Sequence, residues 1–350
     1  MIDTTAHRLR FRATLRPALG SRFQPTGFPD LGAAEFTGYH DGKPVRSLLV
    51  ESAQSMANRL ENTAWDTAGQ APVTLLADLP YVEVRQADAP QRFLTSSRQE
   101  AHRLASPFVR SSLLEGQPMT DVIGERLGLA NDQPLDYPAM ARALTSMDPF
   151  VLLHGCFFSQ KDWPGQPRFA RAISAAIEAY DVEQAISGGR KSDHVRHNTG
   201  KNGEDSEDGL VLGGSSEGYG SIPFHRVEYT ARHIEAQFSV DVQLLRSYRL
   251  DAEATELLTA LALWEIRTFL DTGLRLRTAC DLELADDVQG TTTLPDTETL
   301  AARIRELMPT VTAALEHTGP LTVLWQGGKT KATPKKTRKT ARAEEKATAQ

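Results

Sequence analysis

Residues 8–16, Arg-Leu-Arg-Phe-Arg-Ala-Thr-Leu-Arg, alternate polar and apolar side chains almost without a break. Leu9, Phe11, Ala13 and Leu15 fall on one side and Arg8, Arg10, Arg12 and Arg16 on the other, the period of two that a half-buried strand requires. The device returns at 274–281, where Leu274, Leu276, Thr278 and Cys280 alternate with Arg275, Arg277 and Asp281. Two strands, each apolar on one side and Arg-bearing on the other, predict an antiparallel sheet with one polar face. Solvation, pairing with acidic side chains, or a bound polyanion would each satisfy those arginines.

Further strands are predicted at 45–51, at 81–85, over the apolar run 150–158, and where Ile234, Ala236, Phe238 and Val240 alternate. Helical spacing predicts helices over 52–65, with Ser52 as N-cap, and over 96–104, 119–127, 137–146, 168–180 and 252–270. Strands and helices so interspersed predict an α+β fold. The stretch 188–221 is rich in Gly, Ser, Asp and Glu with little periodicity and reads as a long loop inside the domain. After Trp325 the composition turns to Lys, Thr and Ala, and 327–350 reads as a disordered basic tail. One domain over 1–326 is expected, with insertions around 85–135 and 188–221.

Composition narrows the class. An apolar fraction of 40% and a charged fraction of 24% over 350 residues are those of a globular chain with a sizeable core. The longest apolar run is too short to span a bilayer, and the first ten residues carry no apolar h-region. Two cysteines, Cys156 and Cys280, stand outside any CxxC or Cys/His spacing. Buried thiols in a reducing cytoplasm, with no membrane partner, are the simplest expectation. The formal charge of −6 hides two regions: 329–350 carries a balance of +6 and the body −12. An acidic body argues against indiscriminate nucleic-acid binding, which neutralises phosphates, but leaves room for one local basic groove.

Catalytic motifs fail on context. Gly214-Ser215-Ser216-Glu217-Gly218 fits G-x-S-x-G, but a Gly-rich loop and Pro223 follow where a nucleophile elbow needs a helix. Gly328-Lys329-Thr330 ends like a P-loop, but position 323 is Val where the pattern needs Gly. His194 and His197 have no neighbouring ligand pattern, and His154 in Val-Leu-Leu-His-Gly-Cys reads as a hydrogen-bonded core or groove histidine. No catalytic residue, metal or cofactor is therefore expected.

Binding chemistry is concentrated between Gly20 and Glu61. The loop GSRFQPTGFPDLG carries Ser21, Arg22 and Gln24, and the unit LLVESAQSMANRLE carries Gln54, Asn58 and Arg59. Positions 54 and 58 share one helical face, with Ser55 and Arg59 on its shoulder. Amides, a hydroxyl and a guanidinium suit a polar polymer or phosphate better than acid–base chemistry.

These segments, with SGGRKSDHV, IPFHRVEYTA and ATELLTALALWEIRTFLDTGLRLRTACDLE, resemble one family. It is the Csb-type RAMP backbone subunit of the type I-G (formerly I-U) CRISPR surveillance complex, and the resemblance covers roughly residues 8–284. It implies a modified RRM or ferredoxin-like antiparallel sheet core with large helical and loop insertions, pictured as palm, fingers and thumb. Either 188–221 or 85–135 would hold the thumb.

The resemblance also implies a function. The subunit would be non-catalytic, polymerising along a CRISPR guide RNA and presenting it for pairing with foreign DNA in antiviral defence. Its partners would be copies of itself in a helical filament, a guide-end or processing subunit, and a large subunit. Ser21, Arg22, Gln24, Gln54, Asn58, Arg59, Arg190, Lys191, His225 and Arg226 are the RNA-binding candidates it implies. Related type III subunits cut target RNA with a loop Asp after the first strand, so a metal-dependent endoribonuclease using Asp30 is the alternative.

Overall fold

The computed structural model describes residues 2–28, 32–191 and 222–327. Within these, the chain is mixed α+β, built on an antiparallel sheet. Its first strand, Leu9–Pro17, buries Leu9, Phe11, Ala13 and Leu15 and leaves Arg10, Arg12 and Arg16 exposed, as the alternation predicts.

Along the sheet the strands run Arg275–Arg277, Cys280–Leu284, Leu9–Pro17, Ile222–Val240, Ile173–Lys191, Lys43–Glu51 and Glu35–His40, with Gln289–Gly290 added beside Leu9–Pro17. Every ladder in this sheet is antiparallel. Two helices, Ala53–Thr63 and Ala252–Thr272, pack on its apolar face and on each other. Apart from the strands Glu35–His40 and Lys43–Glu51 and the segment 64–172, which are inserted into it, the central unit runs strand, helix, long hairpin, helix, strand. Its four strands stand in the spatial order fourth, first, third, second.

The long hairpin joins Ile173–Lys191 to Ile222–Val240 with an unbroken register from Val182↔Ala231 to Lys191↔Ile222. Its strands outrun the neighbouring strands, so the far half projects beyond the sheet. The strand therefore runs through residues 188–191 of the stretch expected as a loop over 188–221, and 192–221 lies outside the described residues.

A second sheet orders Gln117–Pro118, Ser112–Leu114, Pro320–Trp325, Tyr81–Gln86 and Phe93–Ser96. Pro320–Trp325 runs parallel to Tyr81–Gln86, so the end of the described chain closes a layer begun far upstream. The helix Thr297–Ala313 packs on Ala252–Thr272, burying Leu300, Ile304, Leu307 and Val311. The tail expected at 327–350 lies outside the description from residue 328 onward.

Four expected elements differ. Residues 168–180 are not helical: the strand starts at Ile173, and Ile173, Ala175, Ile177 and Ala179 are buried in alternation. Alanine suits helices intrinsically, but a two-residue burial period decides the state. Residues 150–158 form the helix Phe150–His154 before the short strand Cys156–Phe157. A continuous apolar run has no face to declare, and Asp148 Oδ1 accepts from the amide of Phe150 at the helix start, 3.1 Å away.

Residues 96–104 form turns and a short 3-10 helix at Arg103–Ala105 instead of an α-helix. There the side chains of Ser97 and Arg98 turn into the core to Asp148, at 2.6 and 3.3 Å. Arg103 takes a positive φ of 49°, a conformation no α-helix contains. The single strand expected at 274–281 is a hairpin, because Ala279 adopts φ 59° and reverses the chain. The strands at 45–51 and 81–85, the helices at 119–127, 137–146 and 252–270, and the Ser52 cap, which accepts from the amide of Ser55 at 3.2 Å, are as expected.

Candidate functional site

The loop at 20–28 is fixed by its backbone. Gly20 has φ 69°, which favours glycine, and turns the chain off the end of the first strand. Phe23, fully buried, then pairs with Tyr229 of the long hairpin through two amide–carbonyl bonds of 2.9 Å. The Gln24 amide donates to the carbonyl of Ala279 at 2.7 Å, and that of Thr26 to Val50 at 3.3 Å. Three separate segments thus hold one loop in place.

Between this loop and the projecting hairpin lies a cleft of about 970 Å³. Gln24, Glu35, Gln184, Tyr229 and Arg277 line it, with His225, Arg226 and Val227 along the hairpin. Beside it, Glu228 is nearly buried and gathers two cations: Arg22 Nη1 lies 3.2 Å from its Oε2 and Arg226 Nη1 lies 3.7 Å from its Oε1. Ser187 Oγ donates to Oε2 at 2.8 Å. The Arg22 side chain remains 55% exposed, so this pair leaves much of its guanidinium facing outward.

Glu35 closes the opposite wall. It accepts from the Tyr229 hydroxyl, from Gln184 Nε2 at 2.8 Å, and from Arg46 Nε and Nη2 at 2.9 and 2.6 Å. These donors, Tyr229 foremost, hold its carboxyl below the usual carboxylate range. The Tyr229 hydroxyl shifts upward, first because it is buried and second because it donates to Glu35.

The floor rests on Glu51, which is fully buried. Arg277 donates to Glu51, to the carbonyl of Gln24 at 3.0 Å and to that of Val50 at 3.1 Å. Arg59 donates to Glu51 at 2.8 Å and to the carbonyl of Leu276 at 2.6 Å. One carboxylate therefore meets two guanidiniums, and the group ties together the loop, a strand end, the helix Ala53–Thr63 and the terminal hairpin of the central unit, residues 275–284. No other carboxylate among the described residues pairs with Arg59 or Arg277. The floor has a local surplus of positive charge on a body whose overall balance is acidic.

Several residues anticipated from sequence meet here. Gln24, His225 and Arg226 line the cleft, Arg22 joins it through Glu228, Ser21 is exposed in the same loop, and Arg59 joins through Glu51. Gln54 and Asn58 are exposed on their helix but do not line the cleft. Arg59 turns away from them toward Glu51, so the expected helical face is divided. Arg190 and Lys191 pair in register with Pro223 and Ile222 at the end of the described hairpin. Asp30 falls outside the described residues.

Sequence reasoning missed Glu51, Glu35, Tyr229 and Glu228, which organise the cations. It placed Arg277 on a polar strand face but not in a site. A second hollow, of about 610 Å³, lies on the polar side of the sheet, lined by Arg10, Arg12, Ser174, Gln237 and Ser239. Arg12 there stands 3.5 Å from Glu235. No group of three or more His, Cys, Asp or Glu among the described residues could hold a metal ion.

The core histidine expectation is met: His154 and Glu265 are both buried, with Nε2 3.0 Å from a carboxylate oxygen. No described helix is long and apolar enough to cross a membrane.

A family model described as CRISPR-associated protein GSU0053 matches residues 9–184. No curated protein matches the sequence. Similar solved structures include one titled "CRISPR RNA-guided surveillance complex, pre-nicking", 14% identical, covering 81% of this chain and 75% of that one with a TM-score of 0.40. Another is Csc2 of Thermofilum pendens, 10% identical, covering 89% and 77% respectively with a TM-score of 0.30.

Proposed function

Because the chain belongs to the CRISPR-associated protein GSU0053 family, we propose that it is a non-catalytic backbone subunit of an RNA-guided complex. It grips guide RNA in the cleft between the 20–28 loop and the long hairpin. The finer placement is a type I-G, Csb-type RAMP subunit. Its copies line the guide in a filament, in contact with a guide-end subunit and a large subunit, and leave the bases free to pair with DNA.

The observation that carries this reading is convergence. Gln24, His225, Arg226 and Arg277 come from three regions distant in sequence and line one cleft, with Arg22 and Arg59 tied to its margins. The donors offered are guanidiniums, an imidazole and amides, which hold phosphate and ribose without reading sequence. The strand order of the central unit, fourth-first-third-second, also matches the ferredoxin-like succession that the reading requires. On an RRM-type platform aromatic rings usually stack bases. Here Arg10 and Arg12 occupy the polar side of the first strand, and Phe11 is buried beneath. Backbone grip in place of base stacking is the mode this favours.

The test is co-expression with a CRISPR array and the partner genes, followed by affinity purification, sizing and extraction of nucleic acid. A large species carrying RNA of uniform length and array sequence is expected. An RNA-free monomer under those conditions would overturn the reading. The non-catalytic part is checked separately, with a complementary labelled RNA and magnesium. It predicts no cleavage, and cleavage that disappears in Asp30→Ala would replace it with an endoribonuclease.

A further inference from the structure

The terminal hairpin carries more cationic chemistry than the cleft uses. On its outer strand, Arg275 and Arg277 alternate with Leu276, whose side chain is buried. Alternate residues of a strand share a face about 7 Å apart. Arg277 lines the large cleft. Arg275 lines a smaller hollow, of about 280 Å³, together with Arg59, Asn62, Thr63 and Thr272. Arg59–Glu51–Arg277 bridges the two hollows, because Arg59 belongs to one, Arg277 to the other, and both hold the same carboxylate.

The charge count around this strand does not close internally. Glu51 meets two guanidiniums, and Arg275, although Asp281 is its cross-strand neighbour, has no carboxylate within ion-pair reach among the described residues. Arg59 Nε is buried without an acceptor. Its Nη2 is spent on Glu51 and on the Leu276 carbonyl. Guanidinium has five donors in a fixed fork; with Nε enclosed and Nη2 spent, Arg59 keeps the two Nη1 donors for an outside oxygen while its position is set by protein contacts. Asn62, one turn further along the helix, supplies a neutral amide donor, while the Thr63 and Thr272 hydroxyls donate to the carbonyls of Leu60 and Thr268 at 2.7 Å and keep acceptor capacity that suits a ribose hydroxyl. Such a set, cationic but lacking an acceptor-rich anion of its own, suits a phosphodiester.

We propose that the hollow formed by Arg59, Asn62 and Arg275 is a second phosphodiester subsite. A single-stranded RNA backbone crosses the edge strand from the Arg277 cleft into it. This rests on the RNA-binding reading given above and extends it to residues on the far side of the terminal hairpin. It also assigns Arg59 to this second subsite, with Arg277 serving the first.

The experiment is fluorescence anisotropy of a fluorescein-labelled oligouridylate with the full-length protein, titrated over roughly 50–200 mM salt. Each phosphate contact on a single strand contributes about 0.7 to the slope of log affinity against log salt. Arg275 is exposed and unpaired, so Arg275→Gln keeps the fold, and the slope is expected to become shallower by about 0.7 with weaker binding. Arg275→Lys is expected to keep the slope, and Arg305→Gln, on the distant helix Thr297–Ala313, to change neither quantity. If the native protein binds but Arg275→Gln and Asn62→Ala leave slope and affinity unchanged, the second subsite is overturned and the RNA reading stands. If the native protein fails to bind at any salt, both are overturned.

Discussion

Glu51 and Arg277 stand 226 residues apart in the chain and are joined by an ion pair inside the protein, at the floor of the candidate cleft. Their contact closes the central unit: Glu51 ends a strand of the main sheet, and Arg277 lies on the hairpin after its last long helix. Because Arg277 also donates to Gln24 and Val50 carbonyls, the same guanidinium fixes the shape of the binding loop. A buried ion pair is rarely a net source of stability, but it specifies which segments meet.

Removing that carboxylate should be costly. Glu51→Ala leaves Arg59 and Arg277, both only partly buried, without their common partner, and a loss of about 3 kcal/mol, the low end for a broken buried pair, is expected. Urea denaturation followed by circular dichroism measures it. The loss in Glu51→Ala with Arg277→Met should be smaller than the sum of the single losses, since both substitutions remove one interaction. Additive losses would show that the pair is not coupled.

Arg22 should behave in the opposite way. Its pair with Glu228 is half exposed, so Arg22→Ala is expected to cost no more than about 1 kcal/mol of stability. A charged hydrogen bond to phosphate is worth about 1.5–3 kcal/mol, so RNA affinity should fall roughly 10- to 100-fold. Thermal melts and anisotropy on the same preparation separate the two effects. A large fall in melting temperature with intact affinity would make Arg22 a structural residue.

The sequence was readable where one face of an element is wet and the other dry. Leu9–Pro17 and the Ser52-capped helix declare themselves, because burial on one side imposes a period. The segment 150–158 does not, since every residue of its helix is buried. Residues 168–180 hid a strand behind alanines, small enough for either state. At the site, exposed cations in Gly-punctuated loops were legible. Glu51 and Glu228 were not, because a lone acid at a strand end looks like a solvated one until the fold brings arginines to it. Arg59 shows the same limit, for its helix face could be drawn from spacing but its turn toward Glu51 could not.

The two cysteines should be chemically silent in the folded protein. Burial pushes the Cys156 thiol up to about 12 and the Cys280 thiol up to about 11, so the reactive thiolate is scarce near neutral pH. Titration with Ellman's reagent at pH 8 is expected to detect almost no thiol in the native protein and two per chain in denaturant. Rapid native reaction at either position would mean that its segment opens readily.

The pH dependence of stability should run through Glu35. Its carboxyl is held down in the folded state by the Tyr229 hydroxyl first, then by Gln184 and Arg46. A depressed folded pKa means that the unfolded chain binds the proton more tightly, so this contribution is complete above the unfolded carboxylate range. It is lost as pH falls through the lower folded value. Glu256 acts with the same sign, lowered chiefly by Arg303. Denaturant midpoints measured from neutral pH down into the acid range should therefore fall, and fall less steeply in Glu35→Gln than in the native protein. The residual slope in that variant is shared by Glu256, Asp296 and Asp3, whose carboxyls are also held down, and should shrink further when Glu256→Gln is added. Because Glu35 also orients Tyr229 and Gln184 across the cleft, Glu35→Gln should weaken RNA binding at neutral pH as well. An unchanged acid limb would remove Glu35 from the linkage, and unchanged affinity would remove this wall from the binding site.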